Sequence, residues 1–321
     1  MHTRRMLTAL AAALIAAPGL AAEVYPTKPV RIVVPFAPGG GVDLTARILA
    51  QRLTERAGQS FIVDNRTGAS GIIGTEFVAK SAPDGYTLLV GSQTTQAVVP
   101  AMYGKLNYDA ARDFIGVTEI AVSPMLIVVH PSLPVKTVKD LIALAKARPG
   151  QLSYGAASGG TPHLAGELFR LVAHIDLLFV PYKGEGPAIA DAMGGQISMV
   201  FSNLPVGLPQ ARGGRLRGIA VTSPQRVPTA PDIPTAAESG LPGYEAATWF
   251  GLFAPAATPR DIITKLNADA ASALNVPEVK ERMAAQGLFV VASSPEQFAT
   301  FLKAEIPRWT KVVKDAGVKP Q

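Results

Sequence analysis

Val30-Arg31-Ile32-Val33-Val34-Pro35-Phe36-Ala37-Pro38-Gly39-Gly40-Gly41-Val42-Asp43 is the stretch that decides the fold class. A short β-branched run closed by a proline predicts a buried strand. The glycines then turn the chain. Asp43 is expected to cap a segment whose apolar positions, Leu44, Ile48, Leu49 and Leu53, recur at helical spacing before Gly58. Strand, glycine turn and helix in that order are the opening unit of an α/β sheet.

The rhythm continues on the C-terminal side. Phe61-Ile62-Val63 predicts a second strand, Ile72 to Ser81 a helix, and Pro83-Asp84-Gly85 a turn into a strand from Tyr86 to Val90. This alternation implies a parallel sheet covered by helices. It restarts after a hinge-like apolar stretch, Met125 to Val129. Thr137 with Asp140 has the form of a capping box, Ser153 to Ala156 predicts a strand, and Thr161-Pro162 opens a helix with proline at its favoured first position. Further strands are predicted at Leu177 to Val180, Ile197 to Phe201 and Leu216 to Val221, with helical stretches around Ala188 to Met193 and Gln210. Ala247 to Phe253 suits a strand crossing back to the first group. Two late helices are expected to start at the N-cap and proline pairs Thr258-Pro259 and Ser294-Pro295, with Pro307 bending or interrupting the last one. The organisation expected is two α/β lobes: residues 23–123 with 248–321 in the first, its C-terminal helix able to pack on the second, and residues 124–247 in the second. Two connecting strands would allow closure around something held between the lobes.

The N-terminus supplies the compartment. Arg4 and Arg5 precede an almost unbroken apolar run from Met6 to Ala17, then Pro18-Gly19 and Ala21-Ala22. Basic, apolar, small is the layout of a cleavable secretory signal, here residues 1–22. The run is about a dozen residues, against roughly 20 for a membrane span. Thr3-Arg4-Arg5-Met6-Leu7 also resembles a twin-arginine signal, so both export routes stay open. The expected location is the periplasm. Removing 22 of 321 residues leaves 299, a length that favours two compact lobes over one core. Cysteine is absent, which removes thiolate metal sites and cysteine nucleophiles together. Without Arg4 and Arg5 the 30 basic residues fall to 28 against 24 acidic, a net charge of +4 with no run of like charge. That is no nucleic-acid footprint, though a mild positive field helps draw in an anion.

Catalytic motifs are scarce. The histidines are His2, His130, His163 and His174, with no His-Glu-x-x-His pair. Gly155-Ala156-Ala157-Ser158-Gly159 misses the hydrolase elbow pattern, there is no Gly-Lys-Ser/Thr phosphate loop, and Leu44 stands where a dinucleotide fingerprint needs its third glycine. No metal, cofactor or catalytic residue is assigned. An exported hydrolase would have to be built on a pair such as Ser158 and His163. Glycines and small hydroxyl residues instead collect between strand ends and helix starts: Pro38 to Asp43, Gly91-Ser92-Gln93-Thr94-Thr95, and Ala157-Ser158-Gly159-Gly160-Thr161. In parallel α/β sheets the ligand crevice lies beyond the carboxyl ends of the strands. Helix N-termini there offer free N–H groups and partial positive charge, and glycine lets the backbone come close to an anion. These loops carry almost no charge, so amide N–H, hydroxyl and water are the expected means of holding a carboxylate.

On the same loops the chain resembles a known family. Pro35-Phe36-Ala37-Pro38-Gly39-Gly40-Gly41-Val42-Asp43, Asp64-Asn65-Arg66-Thr67-Gly68-Ala69-Ser70-Gly71 and Asp84-Gly85-Tyr86-Thr87-Leu88-Leu89 are similar to the substrate-binding proteins of tripartite tricarboxylate transporters, also called the Bug family. Gly160-Thr161-Pro162-His163-Leu164-Ala165-Gly166-Glu167-Leu168-Phe169, Val180-Pro181-Tyr182-Lys183-Gly184 and Trp249-Phe250-Gly251-Leu252-Phe253-Ala254-Pro255 agree. The resemblance implies a type II periplasmic-binding-protein fold, two α/β lobes closing on a small organic acid, monomeric and without a cofactor. It also implies delivery of the acid to integral membrane subunits of a transporter, with a ligand-sensing receptor as the alternative. Carried over by motif, the contacts would be Phe36, Ala37, Gly39, Gly40, Ser92 and Thr95 from the first lobe and Ser158, Gly159, Thr161 and His163 from the second. Simpler roles stand beside some assignments. His163 is also placed to brace its own helix end, Arg66 to pair with Asp64, Lys183 to be solvated, and Trp249 and Phe250 to pack in the core. One departure is visible: where the family often has Phe-Asp-Asn-Leu-Pro, this chain has Phe201-Ser202-Asn203-Leu204-Pro205. If that position faces the cleft, the lost carboxylate weakens selection for a ligand ammonium group.

Overall fold

A computed structural model describes residues 25–182 and 184–318. The signal expected at residues 1–22 and the side chain of Lys183 lie outside the described residues. The first group of elements is β1 (Val30–Val34), α1 (Gly41–Ala57), β2 (Phe61–Asn65), α2 (Ile72–Ala79) and β3 (Thr87–Ser92). A π-helical turn, Thr94–Val98, leads into the one-turn α3 (Val99–Met102) and the long β4 (Phe114–Val129). The second group is α4 (Val138–Ala147), β5 (Ser153–Ala157), α5 (Thr161–Ala173), β6 (Leu178–Tyr182), α6 (Glu185–Met193), β7 (Met199–Asn203), α7 (Leu204–Arg212) and β8 (Arg217–Val221). The chain returns through β9 (Ala247–Pro255) and ends with α8 (Arg260–Leu274), α9 (Pro277–Ala285), β10 (Phe289–Val290) and α10 (Pro295–Asp315).

The fold is α/β, with strands in the order β2-β1-β3-β9-β4-β7-β5-β6, and β8 and β10 pairing with β4. β1 lies parallel to β2 and β3, and β5 parallel to β6 and β7. β9 is antiparallel to β3 and β4, and β4 antiparallel to β7, so the sheet as a whole is mixed, while β1, β2 and β3 are parallel as expected. The reason is topological: a strand that leaves one group of elements and the strand that returns to it run in opposite directions. β4 changes partners along its length. Phe114 to Pro124 pair with β9, and Met125 to Val129 pair with β7 and β8. At the changeover the buried Thr222 hydroxyl accepts the Met125 N–H at 2.8 Å and donates to the Ala246 carbonyl.

Alternation along the strands buries both faces. Val30, Ile32 and Val34 pack with Leu49, Leu53 and Leu88, whereas Val33 turns to Trp249, Phe253 and Phe298. In β4, Met125, Ile127 and Val129 join Tyr154, Phe169 and Phe201, while Leu126 and Val128 join Val200 and Leu204. Strands covered on both faces read as continuous apolar runs, as these do.

Three local expectations are corrected. Gly40, not Asp43, is the N-cap of α1, and Pro259, not Thr258, precedes α8. α9, absent from the sequence reading, buries only Val279 and Met283, too few apolar positions to stand out by periodicity. Pro307 does not interrupt α10, which runs through it. Pro307 and Lys303, whose carbonyl loses its donor, are both exposed. On either side the helix is pinned by packing, Phe298 against Trp249 and Phe253, and Trp309, Val312 and Val313 against the cluster around Phe169. Burial at both ends outweighs one missing bond at the surface.

Candidate functional site

The loop between β1 and α1 builds one wall of a cleft. Gly39 has φ +91°, a conformation that glycine adopts without strain. At Gly41 a Cβ would stand 3.0 Å from the Phe250 ring, so this helix start is pressed onto β9. The first bond of the α1 ladder runs from Leu44 N–H to the Gly40 carbonyl (2.9 Å), which leaves Gly41 and Val42 N–H ahead of it. Asp43 braces the loop from inside the first turn. Its carboxylate accepts from Gly39 N–H (3.0 Å), Asn65 Nδ2 (2.9 Å) and Arg47 Nε (2.8 Å). Burial acts to raise its pKa, but these bonds prevail and hold it below the usual carboxylate value. Asn65 Nδ2 also donates to the Phe36 carbonyl (3.0 Å), tying β2 to the same loop.

The opposite wall comes from the carboxyl ends of β5, β6 and β7 and the starts of α5, α6 and α7. Gly160, Gly184 and Asn203 are their N-caps. Each helix therefore turns its first N–H groups and the positive end of its dipole to the same side. Glu185, the first residue of α6, has a carboxylate that accepts from Ser202 Oγ (2.6 Å), Asn203 N–H (2.8 Å) and Asn203 Nδ2 (2.5 Å). Burial pushes its pKa above the ordinary value, against the lowering effect of those three bonds.

Between the walls lies a cleft of about 830 Å³. Phe36, Ala37, Gly39, Gly40, Ser92 and Thr161 line it. Ser158 and Gly159 line an adjoining recess of about 280 Å³ that shares Phe36, Thr94 and Ala157 with the cleft. Thr95 and His163 line neither. Thr95 is fully buried, its hydroxyl accepting from Ser92 N–H (3.0 Å) and donating to the Ser92 carbonyl (3.1 Å). His163 Nδ1 accepts the Gly159 N–H (3.0 Å), and its ring stacks on Phe179 at 3.8 Å. Burial lowers its pKa, opposed by Glu167. Both residues shape loops that border the cleft. Arg66 pairs with Asp64 (2.8 Å) and covers the Phe77 ring, and Trp249 is buried among Phe253, Phe298 and Phe301. Phe250 is both core and cleft wall.

Sequence reasoning missed Glu185, Asn203, Ser123 and Thr248, all of which line the cleft. Gly184 ahead of Pro187 was a signal of the kind used elsewhere, a glycine before a helix start with proline in its first turn. Ser202 is fully buried, with its hydroxyl spent on Glu185. The carboxylate that position 202 lacks stands instead at position 185. Among the described residues no group of histidine, aspartate and glutamate is arranged to hold a metal ion.

Residues 45–318 match the family described as "Tripartite tricarboxylate transporter family receptor". Protein BugT of Bordetella pertussis is 40% identical over 99% of this chain and 99% of its own. Among solved structures, R. palustris Rpa4515 with adipate is 42% identical, with a TM-score of 0.79 over 92% of this chain and 100% of that one. MatC from Rhodopseudomonas palustris with bound malate is 32% identical, with a TM-score of 0.75 over 90% of this chain and 100% of that one.

Proposed function

The chain belongs to the tripartite tricarboxylate transporter receptor family, and from that premise we propose that it is a periplasmic solute-binding protein. It captures one small organic acid, carries out no reaction on it, and passes it to the membrane subunits of a tripartite tricarboxylate-type transporter. The observation that carries this reading is the convergence of the α1, α5, α6 and α7 starts on a single cleft of about 830 Å³, a volume suited to a small molecule. Adipate and malate in the two similar structures supply the ligand class. The export signal expected at residues 1–22 supports a periplasmic location, and among the described residues no helix is long and apolar enough to cross a membrane.

In this reading residues 23–123 with 248–321 and residues 124–247 form the two lobes, and β4 and β9 are the connections that flex. Backbone around Phe36, Ala37, Gly39 and Gly40, the Ser92 hydroxyl, and the Ser158 to Thr161 turn receive the acid. Thr95 and His163 act through the loops they brace. A hydrolase built on Ser158 and His163 would need the histidine as base, and its Nδ1 lone pair is occupied by Gly159 N–H.

The test is thermal unfolding of the mature chain, stripped of any copurifying ligand, against a panel of organic acids. A ligand at a hundred times its Kd adds about 2.7 kcal/mol, so one or more acids should raise the Tm by several degrees. Well-folded protein that no acid stabilises overturns the proposal.

A further inference from the structure

The Glu185 carboxylate is the one charged side chain among the described residues that line the cleft. Its surroundings are lopsided. Oε1 receives two donors, Ser202 Oγ and Asn203 N–H, and Oε2 receives one, Asn203 Nδ2. A carboxylate has about four acceptor positions, and donors among the described residues fill three of them, one on Oε2, on a side chain that borders the cleft. Among the described residues no cation influences its ionisation; burial, Ser202 and Asn203 do. The carboxylate is thus fixed by neutral donors, which favour its ionised form against the burial that raises its pKa.

The facing wall has the opposite character. At Gly41 and Val42 it offers backbone N–H groups and the positive end of the seventeen-residue α1. A plain dicarboxylate presents acceptors at both ends. It would satisfy the α1 wall and set its second carboxylate against Glu185, a like-charge contact in a partly desolvated site. A molecule with a carboxylate at one end and an O–H or N–H near the other satisfies both walls.

We infer that Glu185 makes this receptor select an organic acid bearing a hydrogen-bond donor, a hydroxyl or an ammonium group, over the plain acid of the same skeleton. This rests on the carboxylate-receptor reading above and specifies its ligand class. A merely structural Glu185, holding the starts of α6 and α7 together, would affect stability and leave the order of ligands alone.

The experiment is calorimetric titration of wild type and Glu185→Gln with matched sets: succinate, malate and aspartate; adipate and 2-aminoadipate; benzoate and 4-hydroxybenzoate. In wild type the best-bound set should favour its donor-bearing member by about tenfold or more, the size of a hydrogen bond to a charged group. In Glu185→Gln that ratio should fall towards one, chiefly through a gain by the plain acid. Malate against aspartate tells hydroxyl from ammonium. Should Glu185→Gln melt at too low a temperature to titrate, Glu185→Ala gives the same ratio. A wild type that prefers the plain acid, or a donor preference that survives both substitutions, overturns the inference and leaves the receptor reading intact. Failure of every acid to bind overturns both.

Discussion

On the wall built from β1 and α1 the cleft meets glycines, backbone N–H groups and the Phe36 ring, whereas on the wall built from β6, α6 and β7 it meets the carboxylate of Glu185. Asp43 sits inside the first wall yet contributes no charge to the cleft surface, because its carboxylate is consumed by Gly39, Asn65 and Arg47. Glu185 sits inside the second and, among the described residues, is bound only by neutral donors. Two acidic residues in the first turns of two helices thus do different work. An acid near a helix start stabilises it in either case; what differs is whether a cation closes the set. The difference teaches that a cleft can hold an anion at one end and discriminate at the other with the same local device.

Placing a charge on the donor wall should produce the largest effect. Gly40 has open space where a Cβ would go and is the N-cap of α1, a position aspartate favours. Gly40→Asp should keep or raise the Tm while weakening acid binding by about a hundred- to a thousandfold, since like-charge juxtaposition costs several kcal/mol. Unchanged affinity by titration would mean the acid does not rest on this wall.

Next in size is Glu119 on β4, which lines neither wall and should alter stability alone. Its pKa is pushed up from 4.5 to about 7 by burial, with the Glu305 carboxylate adding to the effect. A carboxyl whose pKa is higher in the folded chain binds more protons folded than unfolded. Its contribution to stability is therefore full below pH 4.5 and is lost as the pH rises through about 7. The shift corresponds to up to about 3 kcal/mol. Urea titrations from pH 4 to 8 should show stability falling over that window in wild type and a flatter profile in Glu119→Gln, with ligand affinity unchanged.

Ser202→Ala removes one donor from Glu185 and should cost about 1–2 kcal/mol of stability. It should also raise the Glu185 pKa further, so that ligand preference becomes more pH-dependent by titration. A neutral outcome in both measurements would detach Ser202 from the second wall. The smallest change is His163→Phe, which keeps a ring on Phe179 and loses the acceptor for Gly159 N–H. A loss of about 1 kcal/mol by thermal unfolding, with affinity altered less than about threefold, fits a brace. A larger loss of affinity would put the imidazole itself on the ligand.

Much of the architecture was legible in the residues. Val30 to Val34, the glycine turn and the Leu44–Leu53 spacing are local signals, and each became the element expected. The capping box at Thr137–Asp140 and the helix start at Ser294-Pro295 are local as well. Pro307 misled because a residue rule speaks for an isolated helix, while α10 is held along both ends by buried aromatic packing. In the site, the uncharged loops were visible as strings of glycine and hydroxyl residues. Which of their side chains face the cleft was not: Thr95 turns inward to Ser92 and His163 to Gly159.

What the sequence by itself determined is the alternation of strands and helices and the glycine-rich starts of the helices at their junctions. Those depend on backbone sterics and on side-chain periods of two and 3.6, which near neighbours settle. Only the tertiary structure decided that Glu185 would meet Ser202 and Asn203 across the β6-α6-β7 crossover, with β5 between the two strands. That meeting is set by the order of strands in the sheet, and no local period records it.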